Sequence, residues 1–168
     1  MNKIIFCSVL FLIFSNCCFG LEYPNDYYFK NLKNNTNIVL GTPISYFEKN
    51  YGNPKEITTI WKYESNYFEL WKYSYDDFYV FTDSNTKMLR YFSTSNSNYE
   101  TSKKIKCGDN IDCVIEQYGT PTYKTENLIM YVHFFQEINL PSETTILGFV
   151  FDEKGSITRI YMTIDFAV

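Results

Sequence analysis

The stretch Leu40-Gly41-Thr42-Pro43-Ile44-Ser45-Tyr46-Phe47-Glu48-Lys49-Asn50-Tyr51-Gly52-Asn53-Pro54 returns 67 positions later as Cys107-Gly108-Asp109-Asn110-Ile111-Asp112-Cys113-Val114-Ile115-Glu116-Gln117-Tyr118-Gly119-Thr120-Pro121. Gly41/Gly108, Ile44/Ile111, Tyr51/Tyr118, Gly52/Gly119 and Pro54/Pro121 are identical pairs, and Phe47/Val114 is an apolar one. Each copy reads as a short helix. Thr42 or Asp109 can accept from the free amides of a helix start, and Pro43 suits the first helical position. Ile44, Phe47 and Tyr51, or Ile111, Val114, Ile115 and Tyr118, form one apolar stripe. Gly52 and Gly119 stand where a left-handed residue ends a helix, and the prolines two places on prevent its continuation. Two turns of helix are not stable alone, so each copy must lie on an apolar surface.

The residues that follow each copy supply that surface. Thr58–Glu64, Phe68–Tyr73, Phe78–Thr82 and Lys87–Ser93 follow the first; Asn127–Phe135, Thr144–Phe151 and Ser156–Ile164 follow the second. All are rich in aromatic and β-branched residues and read as strands. Asp83-Ser84-Asn85 and Asp152-Glu153-Lys154-Gly155 supply turn residues between the last two strands of each copy. Tyr63/Tyr131, Phe81/Phe151 and Arg90/Arg159 are further anchors, and Gln136–Glu143 reads as a loop. The expected class is α+β: two tandem units, each a short helical segment on a three- or four-stranded antiparallel sheet. Their bounds are 39–93 and 105–168, joined by a polar linker at 94–104. An extension at 21–38 precedes them, with an extra helix over 24–35.

Residues 1–20 read as a secretory signal peptide: Lys3, an apolar run from Ile4 to Phe14, then a small polar region. The run is too short to span a bilayer. Two processing routes stay open. Phe14-Ser15-Asn16-Cys17 resembles a relaxed lipobox, which makes Cys17 the lipidated N-terminus, although Phe14 and Asn16 depart from the tight form. Ordinary cleavage after Gly20 is the other. Either leaves 14 basic against 19 acidic residues, a formal charge of −5, which argues against nucleic-acid binding through a basic field.

The repeat resembles the BamE (SmpA/OmlA-like) small lipoproteins of the outer-membrane barrel-assembly machinery: a short helix leaving through aromatic-Gly-x-Pro, then a Trp/Tyr-containing strand and a hairpin. Its tandem form resembles the β-lactamase inhibitory proteins. The resemblance covers about 39–93 and 106–164. It implies helices packed on antiparallel sheet, an envelope location, and protein binding through a sheet face. The usual Gly-Met-(Thr/Ser) entry is here Gly41-Thr42-Pro43 and Gly108-Asp109-Asn110.

Candidate chemistry is sparse. Cys107 and Cys113 straddle the second helix start and, in an exported chain, suggest a disulfide staple; free thiols are the alternative. His133 is the single histidine and reads as an ordinary strand residue. Asp76-Asp77, Asp83 and Asp152-Glu153 fall where turns want Asp. No metal, cofactor or catalytic group is called.

The aromatic excess, 16 Tyr, 15 Phe and 2 Trp in 168 residues, is the functional signal. Trp61 with Tyr63, Trp71 with Tyr73, and Tyr79 with Phe81 share strand faces. Trp61, Tyr63, Trp71, Tyr73 and Tyr79 are the candidate partner-binding residues; a second buried layer or a biased base composition is the competing account. The expected function is a non-enzymatic protein-binding module in the cell envelope. It is placed at the outer membrane or in the periplasm, or secreted, and held to the membrane by lipid if Cys17 is modified. A small secreted hydrolase or a purely structural lipoprotein are the alternatives.

Overall fold

A computed structural model describes residues 27–62, 69–135 and 143–166, with backbone alone at 61–62, 134–135, 143 and 165–166. The class differs from the expected one. The described chain is mostly strand, with two short helices. Its frame is one continuous antiparallel sheet of eight strands, not two separate helix-on-sheet units.

The strands are β1 (Phe29–Asn31), β2 (Thr36–Ile38), β3 (Glu56–Lys62), β4 (Glu69–Ser74), β5 (Phe78–Asp83), β6 (Leu89–Thr94), β7 (Tyr99–Thr101), β8 (Tyr123–Lys124), β9 (Leu128–Phe135), β10 (Glu143–Phe151) and β11 (Ile157–Phe166). The helices are α1 (Ile44–Tyr51) and α2 (Ile111–Tyr118). The large sheet runs β3-β4-β5-β6-β11-β10-β9-β8, and a small one runs β2-β1-β7. The strand following each repeated helix thus belongs to one half of a shared sheet, and β6 pairs with β11 at the seam.

The repeat is visible in the backbone bonds. Gly41 N–H donates to Leu89 O and Gly108 N–H to Ile157 O, both at 2.8 Å. Ile44 N–H donates to Lys87 O (2.9 Å) and Ile111 N–H to Gly155 O (2.8 Å). Gly52 and Gly119 end the helices at φ 78° and 79°, a region costly for residues with a Cβ. Bulges recur before the same hairpin, at Phe81/Thr82 and at Val150/Phe151. These bulges put Arg159 opposite Val150 as Tyr91 is opposite Phe81. Arg159 therefore takes the ladder place of Tyr91, one residue away from the Arg90 alignment read in the sequence.

Three local expectations change. The helix starts one residue later than read: Asn110 Oδ1 accepts from Asp112 N–H at 2.9 Å, while Thr42 Oγ1 donates back to Val39 O. Residues 24–35 contain no helix within their described part but the β1 strand, whose hairpin partner is β2. The stretch 94–104 carries β7, which pairs with β1; Tyr99 and Thr101 are buried there. Short polar stretches hid these strands because three-residue strands have no measurable period. The loop expected at Gln136–Glu143 lies outside the described residues, except that Glu143 opens β10.

The register sorts the large sheet into two faces. Tyr73, Val80, Phe92, Met162, Leu147 and Tyr131 lie opposite one another in sequence across it, as do Phe78, Thr94, Ile160, Phe149 and Ile129. All are buried. Phe47 and Tyr51 of α1 reach Phe78, Tyr118 of α2 reaches Tyr131 and Phe149, and Phe29 and Tyr99 of the small sheet reach Phe92. Both helices and the small sheet therefore cover this one face.

Candidate functional site: the open aromatic face of the sheet

The opposite face has a different composition from a solvated one. One row reads Ser74, Tyr79, Ser93, Tyr161, Gly148, Met130, Tyr123; the next reads Lys72, Phe81, Tyr91, Thr163, Ile146, Val132. An antiparallel sheet with one wet face ordinarily alternates apolar inward and polar outward. Here the outward positions are largely aromatic and aliphatic. Rings stack across three neighbouring strands: Tyr79 on Tyr91 (5.7 Å), Phe81 on Tyr91 (4.6 Å) and Tyr91 on Tyr161 (5.7 Å), with Tyr79 and Phe81 5.5 Å apart along β5. These contacts run only among strands of the sheet. No helix or small-sheet ring joins them among the described residues.

Gly148 makes the ladder possible. It is buried, and a Cβ there would lie inside the Tyr161 ring, whose Cζ, Cε1 and Oη are its nearest neighbours. Tyr161 can thus lie flat over the β10 backbone and turn its edge toward Tyr91. A glycine inside a strand pattern is the sequence signal for such an approach.

Electrostatics on this face is positive. Lys72 Nζ sits 4.8 Å from the Tyr79 ring centroid, and Arg159 is exposed two residues before Tyr161. Burial pushes the Tyr79 hydroxyl up, but the Tyr91 hydroxyl 3.5 Å away and the charges of Arg159 and Lys72 outweigh it and hold it below its ordinary value. The Tyr91 hydroxyl is raised, first by burial and then by its bond with Tyr79. Arg90 is neutralised locally: its Nε bonds Asp83 Oδ2 at 3.1 Å. Burial raises the Asp83 carboxyl, yet bonds from Thr86 and Arg90 outweigh it and hold it below the usual range.

The residues singled out in the sequence divide between the faces. Tyr79 is on the open face. Tyr73 is in the core beneath α1, with 4% of its surface exposed. Trp71 is on the same side as Tyr73, half-buried against the core; Lys87 Nζ lies over its ring at 3.3 Å and its Nε1 donates to Glu69 Oε2 at 3.0 Å. The side chain of Trp61, and Tyr63 and Cys17 entirely, lie outside the described residues. The ladder residues Phe81, Tyr91, Tyr161 and Gly148 were not singled out, although Phe81 was read on the Tyr79 side.

Cys107 and Cys113 are free thiols in the structure, so the expected staple is not formed. Cys107 is buried, its Sγ 3.6 Å from Thr94 O, and burial pushes its thiol up to about 11. Cys113 is exposed on α2. His133 is exposed with its ring 5.9 Å from Tyr27. The turn acids serve turns: Asp152 Oδ1 accepts from Lys154 N–H and Ser156 N–H, each at 2.9 Å, Asp76 pairs with Lys55, and Asp77 pairs with Lys33. Among the described residues no three His, Cys, Asp or Glu side chains converge as a metal site would need, and no helix is long and apolar enough to cross a membrane.

The class these features define is a two-layer β protein with one covered and one open sheet face. No protein-family model, curated protein or solved structure matches the chain.

Proposed function

We propose that the chain is an exported, lipid-anchored envelope protein that acts as a non-enzymatic protein-binding module, and that it holds its partner on the open sheet face. The observation that carries this reading is the uncovered ladder Tyr79–Phe81–Tyr91–Tyr161. Contiguous exposed apolar surface of this kind marks interaction sites, and Tyr is enriched where partners bury their strongest contacts. The export and anchoring half of the reading rests on residues 1–20 and on Cys17.

The two halves are tested together. A tagged chain is recovered from solubilised envelopes, and co-purifying proteins are compared between wild type, Tyr79→Ala and Tyr91→Ala, with circular dichroism confirming the fold. Loss of an interface tyrosine costs about 2 kcal/mol or more, roughly thirtyfold in affinity. A specific partner should therefore disappear from both variants. A partner retained by both defeats the binding face. Cys17→Ser should release the protein from the membrane fraction, because acyl chains supply the affinity. A soluble wild type, or a mature N-terminus at Leu21, defeats the anchor.

A further inference from the structure

The central charges of the open face have one sign. Lys72 lies beside Tyr79, and Arg159 stands in the ladder place equivalent to Tyr91. Neither makes an ion pair among the described residues. The described carboxylates lie elsewhere. Asp83 is buried against Arg90, Asp76 and Asp77 are in the β4–β5 turn, Asp152 and Glu153 are in the β10–β11 turn, and Glu56 is on the edge strand β3. Asp165 continues this face of β11, but six residues beyond Arg159, about 20 Å at 3.3 Å per residue. Two cations at the centre of an aromatic surface, on a chain that is acidic overall, form a local charge reversal.

Resting on the binding-face reading above, we propose that the partner presents an acidic polypeptide segment. Its carboxylates meet Lys72 and Arg159, and its apolar side chains lie on the Tyr79, Phe81, Tyr91 and Tyr161 rings. Charge decides between occupants. A second copy of this chain, packed face to face about a two-fold axis, brings the same two cations to both surfaces, and like charges at an interface are disfavoured. A nucleic acid needs several phosphates neutralised, whereas two cations suffice only for a ligand carrying isolated negative charges. A peptide with a few carboxylates among apolar residues matches both the charge and the rings.

The test uses three fluorescent peptides of one pattern, alternating Leu and Phe with Asp and Glu, with Asn and Gln, or with Lys, titrated into the mature chain. The acidic peptide should bind tightest, by about fivefold per ion pair over its amide counterpart, the upper end for an exposed pair. Salt should erase that difference, since about 0.1 M screens charges beyond roughly 10 Å. The double variant Lys72→Glu, Arg159→Glu alters exposed or half-exposed positions; it should keep its thermal transition and prefer the Lys peptide. Equal binding of acidic and amide peptides overturns the proposal, as does an unchanged order in the charge-reversed chain. Preference for single-stranded oligothymidylate over the acidic peptide overturns it in favour of nucleic acid. Self-association abolished by Tyr91→Ala overturns it in favour of a second copy. If charge has no effect while Tyr79→Ala and Tyr91→Ala still lose the envelope partner, this inference fails and the binding face stands. If those two variants also retain the partner, both fail.

Discussion

Replacing Gly148 by Ala should cost stability only while Tyr161 is present. A Cβ at position 148 meets Tyr161 Oη at 2.5 Å and the ring carbons closer still. Ordinary carbon contacts lie near 3.5–4.0 Å, so the ring must retreat by about 1 Å or more. It cannot do so freely, because it stacks on Tyr91 at 5.7 Å. Overpacking of this kind costs about 1–3 kcal/mol. In a Tyr161→Ala background the obstacle is gone. There the same change removes a strand glycine, which is unfavourable relative to Ala by about 0.5–1 kcal/mol, so Gly148→Ala should become neutral or stabilising. The double-mutant cycle should thus give an interaction energy of about 2 kcal/mol, within the range for touching residues. Urea unfolding of the four proteins measures it, and near-ultraviolet circular dichroism reports the displaced tyrosine. Additivity within about 0.5 kcal/mol would refute the placement of Tyr161 across Gly148, and with it the ladder.

Two further outcomes follow from the thiols and from Asp83. Iodoacetamide applied to the native mature chain should modify Cys113 at neutral pH and spare Cys107 until the protein is unfolded, because only the thiolate reacts and burial raises Cys107 to about 11; protection of both thiols until reductant is added would mean that they are paired. The folded Asp83 carboxyl is held low, so the stability it contributes is complete above the unfolded value of about 3.9 and is lost as pH falls through the folded one. The stability difference between wild type and Asp83→Asn should therefore shrink on acidification below about pH 4, and a difference constant from pH 7 to pH 2 would show that the Arg90 and Thr86 bonds do not depend on the carboxylate.

Much of the local structure was legible in the sequence. Apolar spacing and the Gly-x-Pro exits located both helices, and alternation in Phe78–Thr82 assigned Phe78 and Val80 inward and Tyr79 and Phe81 outward, as found. What the chain does not spell is pairing between distant strands. Nothing in Leu89–Thr94 or Ile157–Phe166 says that they join edge to edge, since either could have ended a separate sheet. That pairing turned two expected units into one sheet. It also decided the site. Trp71 and Tyr73 were read as one strand face, correctly, but only the position of α1 makes that face the interior. The aromatic ladder spans β5, β6 and β11, so no single strand's pattern could reveal it; only Gly148, a glycine amid apolar strand residues, gave a local sign of close approach.

The seam between β6 and β11 sets how the molecule should unfold. Two independent units would melt separately, and a lesion in the second would leave the first intact. Here Met162 of β11 lies opposite Phe92 of β6 on one side and Leu147 of β10 on the other, fully buried. Phe92 in turn touches Phe29 and Tyr99 of the small sheet and Phe78 beneath α1. A cavity at Met162 therefore borders both halves and the layer that covers them. Met162→Ala should cost about 2–5 kcal/mol in a single transition, with calorimetric and van't Hoff enthalpies equal as two-state unfolding requires. Hydrogen exchange should then accelerate alike in β5, on the far side of the seam, and in β10. If the amides of β5 keep wild-type protection while those of β10 lose theirs, the halves are independent and the continuous face on which the proposed partner lies is not a rigid surface.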